Sequence, residues 1–248
     1  MRRDEFSISE EQEIHDFLSG MSFGFLGTVG EDGRPRVTPL NYVYDQGNFY
    51  FHGSRIGEKM EHLKANPHVS FSVADEYAVI PSYFTDPNLA CPATAYFKSV
   101  TASGRAEVVH NLDEKAAVFS LLMKKLQPEG GYDPIDASDP AYTSRLRNVA
   151  VVKIVTDHLS AKFKFGQNLT EDKREDVLCG LASRGAARDA ETAELVRSSV
   201  PKTRKKKKAE AASEQDDGSC VGKPDSLKNI PPFETAEGPI FRDGSARR

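Results

Sequence analysis

"SFGFLGTVGEDGRPRVTPLNYVYDQGNFYFHG", Ser22 to Gly53, decides between a helical and a strand-built chain. Its apolar residues follow the period of strands, and β-branched and aromatic side chains dominate it. Asp32-Gly33 and Asp45-Gln46-Gly47 supply turn chemistry between the apolar runs, so the stretch predicts three antiparallel strands joined by hairpins. Pro39 has no amide hydrogen to give to a ladder, which places the middle run at a sheet edge or a bulge.

Working outward, residues 9–20 read as a helix. Ser9 with Gln12 forms a capping-box pattern, Ile14, Phe17 and Leu18 an apolar stripe, and Gly20 a stop. On the other side, "RIGEKMEHLKAN" predicts a short helix with Ile56, Met60 and Leu63 on one side, ended before Pro67. "HVSFSVADE" reads as a fourth strand and residues 77–93 as a surface loop. Thr94 to His110 follows as a long strand or pair of strands bending at Ser103-Gly104. Asn111 with Glu114 caps a helix whose stripe runs through Ala117, Val118, Leu121 and Leu122. "QPEGGYDPIDASDP" breaks structure, and "NVAVVKIVTDHLS" returns as a last strand.

Helical stretches are expected at 171–182 and 189–199, whereas 201–248 has almost nothing to bury and reads as a disordered charged tail. The expected division is a barrel domain over 1–170, a helical extension over 171–200 and the tail. About six antiparallel strands with inserted helices predict a mainly β chain forming a closed or partly closed antiparallel barrel. Such a small barrel has little room inside, so ligands are expected on its rim or between subunits.

Composition narrows the function classes. A net charge of −4 with 28% charged residues argues against nucleic-acid binding by bulk electrostatics. No apolar run is long enough to span a membrane, and the charged start "MRRDEFSISEEQEI" lacks the apolar core of a signal peptide. Cys91, Cys179 and Cys220 are widely spaced and form no CxxC pair, which fits a reducing compartment and a cytoplasmic protein. Lys205–Lys208 reads either as a nuclear-import or anion-binding patch or as solvated tail, its charge offset by the nearby "SEQDD".

The chemistry concentrates in "YFHGSRIGEKM", Tyr50 to Met60. If Gly53, Ser54 and Arg55 lead from a strand into a helix, free backbone N–H groups and the Ser54 hydroxyl converge there. Arg55 and Lys59, one helical turn apart, could then add charge-assisted bonds to a phosphate dianion. The alternative is a serine-capped helix with solvated cations. His52, at the strand end, is either a site residue or a satisfied side chain. No GxGxxG or Walker-type loop occurs, and the histidines lack metal-ligand spacing.

Taken in order, "GRPRVTPLNYVYDQGNFYFHGSRIGEKMEHLKANPHVSFSV" and "TAYFKSVTASGRAEVV" resemble the pyridoxamine 5′-phosphate oxidase-like FMN-binding split barrels, nearest to the nitroimidazole-resistance branch. The marks are Pro39, Tyr42-Val43-Tyr44, Phe51-His52-Gly53-Ser54, Gly57, Lys59 and Asn66-Pro67, and the likeness spans about residues 5–165. "SAKFKFGQNLTEDKREDVLCGL" is similar to a Lys-x-Lys-x-x-Gln-Asn stretch of the PaiB-type FMN-binding regulators.

The resemblance implies an antiparallel split barrel with FMN held between two subunits of a homodimer. The phosphate would be gripped at Gly53, Ser54, Arg55 and Lys59. The isoalloxazine would lie near Thr38, Leu40, Asn41 and Tyr42, and Tyr96, Lys98, Ser99, Lys162, Gln167 and Asn168 would close the site. His52 would stand beside the flavin as the catalytic residue. The implied activity passes electrons from NAD(P)H through FMN to a small electron-poor substrate such as a nitroaromatic or quinone. The alternatives are a non-catalytic flavin sensor or regulator and a haem-binding split barrel.

Overall fold

The computed structural model describes residues 3–199; the expected tail, with Lys205–Lys208, lies outside them. The opening stretch forms four strands: β2 (Phe23–Val29), β3 (Pro35–Asn41), β4 (Val43–Asp45) and β5 (Asn48–Gly53). They join β1 (Ser7–Ile8), β6 (His68–Ile80), β7 (Thr94–Val109) and β8 (Ala150–Lys164) in one antiparallel sheet. Its order is β3-β2-β6-β7-β8-β5-β4, with β1 on β8. The two ends of that path, β3 and β4, are separated in the chain by Tyr42 alone. The sheet must therefore curl until its edges meet, which makes the expected antiparallel split barrel. Pro39 lies on β3, at one end of the path, where a missing amide is tolerated.

The barrel is filled by aromatic and branched side chains. Tyr42, Phe49, Phe71, Tyr96, Phe165, Leu18, Leu26 and Ile154 are almost wholly buried, each contributing about 1.5–3 kcal/mol by leaving water. Tyr42 packs edge-on against Phe71 at 5.2 Å and donates its hydroxyl to the Leu18 carbonyl at 2.9 Å.

Among the described residues six α-helices cover the sheet: α1 (Glu11–Gly20), α2 (Glu58–Ala65), α3 (Leu112–Leu126), α4 (Pro140–Asn148), α5 (Glu171–Arg184) and α6 (Asp189–Ser198). The last two bury Val177, Leu181, Ala193 and Val196 in the core shared with the barrel. Arg188 ties them to β6, pairing with Asp75 at 2.8 and 2.9 Å while its guanidinium lies 3.9 Å from the Tyr77 ring centre. Among the described residues no helix is long and apolar enough to cross a membrane.

Several local expectations are corrected. Residues 77–80 are strand, not loop: β6 buries Val69, Phe71 and Val73, then Ala78 and Ile80, and the parity flips at an irregularity beside Tyr77. A period-two reading loses the strand at that flip. The Ser9 capping box does not form, since α1 starts after Glu10 with no side-chain cap. Ile56 lies outside α2 and is exposed, as is Ala117 on α3. Helix α4 begins at the last residue of the stretch expected to break structure and fills the span before β8, for which no element was expected. Its signals, an Asp139 cap accepting from the Ala141 amide and Pro140 in the first turn, sit among turn-forming residues.

Helix α3 carries two lysines that act as caps for other helices. The Lys115 ammonium donates to the Leu146 and Val149 carbonyls at the end of α4, at 2.8 and 2.7 Å. Lys125 donates to the carbonyls of Leu18, Met21 and Tyr42 at 3.0, 2.6 and 3.3 Å, and stands 4.3 Å from the Tyr42 ring centre. Helix C-termini leave carbonyls unpaired and carry partial negative charge, so each ammonium is well placed. Lys125→Met should lower the unfolding free energy by roughly 2–3 kcal/mol through the carbonyls it strands, as read by denaturant titration. Gly104 stands at the β7 bulge, where an added Cβ would lie 2.1 Å from the Val155 carbonyl oxygen. Gly104→Ala should cost more than Lys125→Met, because the blocking atom is backbone.

Candidate functional site

Alternation along β5 sends Phe49 and Phe51 into the barrel and Tyr50 and His52 to the opposite face, beneath α3. His52 pairs across the ladder with Val151, and its ring lies 5.2 Å from that of Phe119 on α3. Its Nδ1 is buried and has no hydrogen-bond partner among the described residues. Burial first, and the Lys59 charge second, hold the imidazole below its ordinary value of 6.5. It is therefore neutral at pH 7.

Past His52 the chain turns sharply. Ser54 does not cap α2; its hydroxyl accepts from the Ile56 amide at 3.2 Å, closing a local turn. Gly57, at φ +112°, is the residue that enters α2. Arg55 therefore precedes the helix, and the expected one-turn spacing from Lys59 is not what unites the two. The fold gives each its own partners. Lys59 Nζ lies 5.0 Å from the Phe51 ring centre and 3.1 Å from where a Cβ on Gly53 would stand. A side chain at position 53 would have to displace that ammonium, and burial pushes Lys59 below its ordinary value. Arg55 is exposed and donates to the Arg147 carbonyl at 3.5 Å.

The wall behind this corner is α3 and α4, and the sequence did not point to it. Lys115, buried on α3, is held below its ordinary value by burial and by the charge of Arg55. A shallow groove of about 390 Å³ runs along α4 past Ser144 and Arg147, next to the carbonyl that Arg55 contacts. Lys59 thus places positive charge beside His52, and Arg55 does so beside Lys115, while Glu58 is paired to Arg36 at 3.1 Å. The corner fits a dianion: it holds an available hydroxyl, a half-buried ammonium and an exposed guanidinium.

The other expected residues are placed differently. Leu40 and Tyr42 point into the core, so either could meet a ligand only through its backbone. Thr38 is partly exposed on β3, and Asn41 donates to the Ser22 carbonyl at 2.9 Å. Gln167 is spent within its own turn, accepting from the Phe165 amide and donating to the Phe163 carbonyl at 2.7 and 2.8 Å. Lys98 lies over the Phe163 and Tyr77 rings. Ser99 pairs with Lys162, whose ammonium covers Phe6 and Phe97. Tyr96 is buried, and both it and Asn168 line a cavity beside α5.

These last residues are remote from His52 in the same chain. His52 pairs with Val151 and Ser99 with Lys162, eleven residues further along β8 (151 to 162). That is about 36 Å of strand contour, and a right-angle bend would still leave about 25 Å. One chain does not bring the two sets together. Among the described residues no group of three or more His, Cys, Asp or Glu side chains is placed to hold a metal ion.

Residues 10–163 match the family described as pyridoxamine 5′-phosphate oxidase. The chain belongs to that family. Among curated proteins none matches it. Solved structures similar to this pyridoxamine 5′-phosphate oxidase family member include a candidate 5-nitroimidazole antibiotic resistance protein from Bacteroides thetaiotaomicron. The two are 24% identical, cover 63% of this chain and 85% of that one, and reach a TM-score of 0.50. The flavocytochrome Anf3 from Azotobacter vinelandii matches at 20% identity over 65% of this chain and 70% of its own, TM-score 0.54. An FAD and haem binding protein from Mycobacterium smegmatis matches at 21% identity over 70% and 80%, TM-score 0.53. At these identities the likeness establishes the fold.

The geometry of His52 is directly testable. In the cofactor-free protein its imidazole resonance should titrate below 6.5 in NMR. His52 binds its proton less readily folded than unfolded, so its contribution to stability is complete above 6.5 and is lost as pH falls through the folded value. Titration of His52 above 6.5 would contradict the buried, cation-flanked placement.

Proposed function

We propose that the chain binds FMN and acts as an oxidoreductase, taking electrons from NAD(P)H and passing them to a small electron-poor substrate such as a nitroaromatic or quinone. The observation that carries this reading is the corner at 52–59, a dianion-sized set of donors beside a neutral histidine with an unpaired buried nitrogen, on a split-barrel family frame. Ser54, Arg55 and Lys59 hold the phosphate. His52, whose ring is only partly buried, stands beside the phosphate corner and, neutral at pH 7, can accept a proton there. FMN when bound supplies the hydride and electron chemistry. The flavin-bearing names among the similar structures agree with this reading.

The reading includes a homodimer. Two features support it. The corner and the set around Ser99 and Lys162 lie too far apart in one chain to share a flavin, whereas a second copy can supply the missing half. The outer face of β2 and β3 also exposes Phe23, Phe25 and Val37, with Pro39 opposite Phe25. Such a contiguous apolar patch is expensive to leave in water.

Purified protein should be yellow or take up added FMN, and should oxidise NAD(P)H in the presence of nitroaromatic or quinone acceptors. A colourless protein that binds no flavin would refute the proposal, and a Soret band lost on His52→Ala would assign haem instead. Stable FMN binding with no turnover against a panel of acceptors would favour a sensor or regulator. Arg55→Ala with Lys59→Ala should weaken FMN binding at least tenfold, most of it through the half-buried Lys59. Phe23→Asp with Phe25→Asp should convert the dimer to a monomer in sedimentation and abolish FMN binding together with it.

A further inference from the structure

The His52 imidazole stands on the outer face of β5 with nothing bonded to its inner nitrogen. Nδ1 is buried and has no hydrogen-bond partner among the described residues. The torsion that turns an imidazole about its Cβ–Cγ bond is broad, so a ring without a hydrogen bond takes its orientation from whatever packs on it. A histidine that moves protons is ordinarily oriented by a carboxylate or carbonyl on its second nitrogen. No such group meets Nδ1 among the described residues.

The contact that remains is aromatic. The Phe119 ring on α3 lies 5.2 Å from the imidazole and is tilted 55° to it, a separation and tilt within the range aromatic pairs adopt. Phe119 is itself held in place. Val118 and Leu122, beside it on α3, are buried in one cluster with Val43, Tyr50 and Val151. The lysines on either side of it tie α3 down, Lys115 to the end of α4 and Lys125 to the carbonyls of Leu18, Met21 and Tyr42.

Charge alone does not account for the state of the imidazole. The titratable and charged groups on its side of the surrounding elements are Tyr50 on β5, Arg55 and Lys59 beyond it, Glu114 and Lys115 on α3, and Lys153 on β8. Among them the charge of Lys59 acts on His52, and it comes second to burial.

We propose that Phe119 is a positioning residue for His52: its ring takes the place of a hydrogen-bonded partner, fixing the plane of the imidazole and keeping water from Nδ1. Phe119 acts only through the histidine. An imidazole covered in this way stays neutral to lower pH and accepts a proton over a wider acid range. That consequence for turnover rests on the flavin reading; the positioning does not.

NMR titration of the cofactor-free full chain tests the positioning. Phe119→Leu, which keeps apolar bulk and removes the ring, should move the His52 titration up towards 6.5. Phe119→Met should do the same, and serves if Phe119→Leu fails to fold. Phe119→Tyr keeps the ring and should leave the titration where it is in the parent chain. Leu121→Ala thins the packing of the same helix and should lower stability without moving the titration. In NAD(P)H turnover the acid limb of the pH profile should move up with His52 in Phe119→Leu, with FMN affinity unchanged. A His52 titration indifferent to loss of the ring, or moved as far by Leu121→Ala, would overturn the proposal. Absence of flavin binding would refute the flavin reading, and a shifted titration would still support the positioning.

Discussion

Everything in this molecule depends on joining the two edges of one curled sheet. Strands β3 and β4 are the ends of the hydrogen-bonded path, yet only Tyr42 separates them in the chain. The closure is pinned at that residue. Its side chain fills the barrel, its hydroxyl is bound by the Leu18 carbonyl, and its own carbonyl receives the Lys125 ammonium, which also holds the end of α1. A partly buried ammonium with three carbonyl acceptors and an aromatic face is costly to remove and satisfied where it is. Closure at this point sets where β5 ends, and so where His52 and the 53–59 corner emerge.

The same geometry separates the chemistry along one long strand. β8 carries Val151 beneath the corner at one end and Lys164 on the cavity beside α5 at the other, with the β7 bulge at Gly104 between them. Because strands advance about 3.3 Å per residue, residues that read as one site in the sequence fall into two places. Tyr96, Ser99 and Lys162 can join the corner only across copies. The exposed Phe23, Phe25 and Val37 give such an association an apolar surface to bury.

Much of the fold could be read from local pattern. Turn residues at Asp32-Gly33 and Asp45-Gln46-Gly47, the Asn111 cap and the bend at Ser103-Gly104 all appear where local chemistry placed them. Readings failed where a tertiary partner overrode the pattern. The parity flip at Tyr77 hid the end of β6. Ile56, apolar and helically spaced from Met60, is exposed because the chain enters α2 only at Gly57. Helix α4 is nine residues long and depends on Lys115 from another helix for its C-terminal carbonyls, and its local start signals, Asp139 and Pro140, are hidden among turn-forming residues.

For the site, the sequence by itself determined the ingredients: a strand ending in His52-Gly53, a hydroxyl, two cations and a glycine before a helix. Those follow from residue type and short-range spacing, which act over one or two turns of chain. Only the tertiary structure decided how they are used. It placed His52 under Phe119 with a bare nitrogen, and it brought Lys59 over Phe51 without the helical spacing from Arg55. It set Lys115 and Arg147 behind them, and it spent Gln167 on its own backbone. Burial, electrostatic neighbours and distance along a coiled strand come from contacts between residues far apart in sequence, which no local pattern encodes.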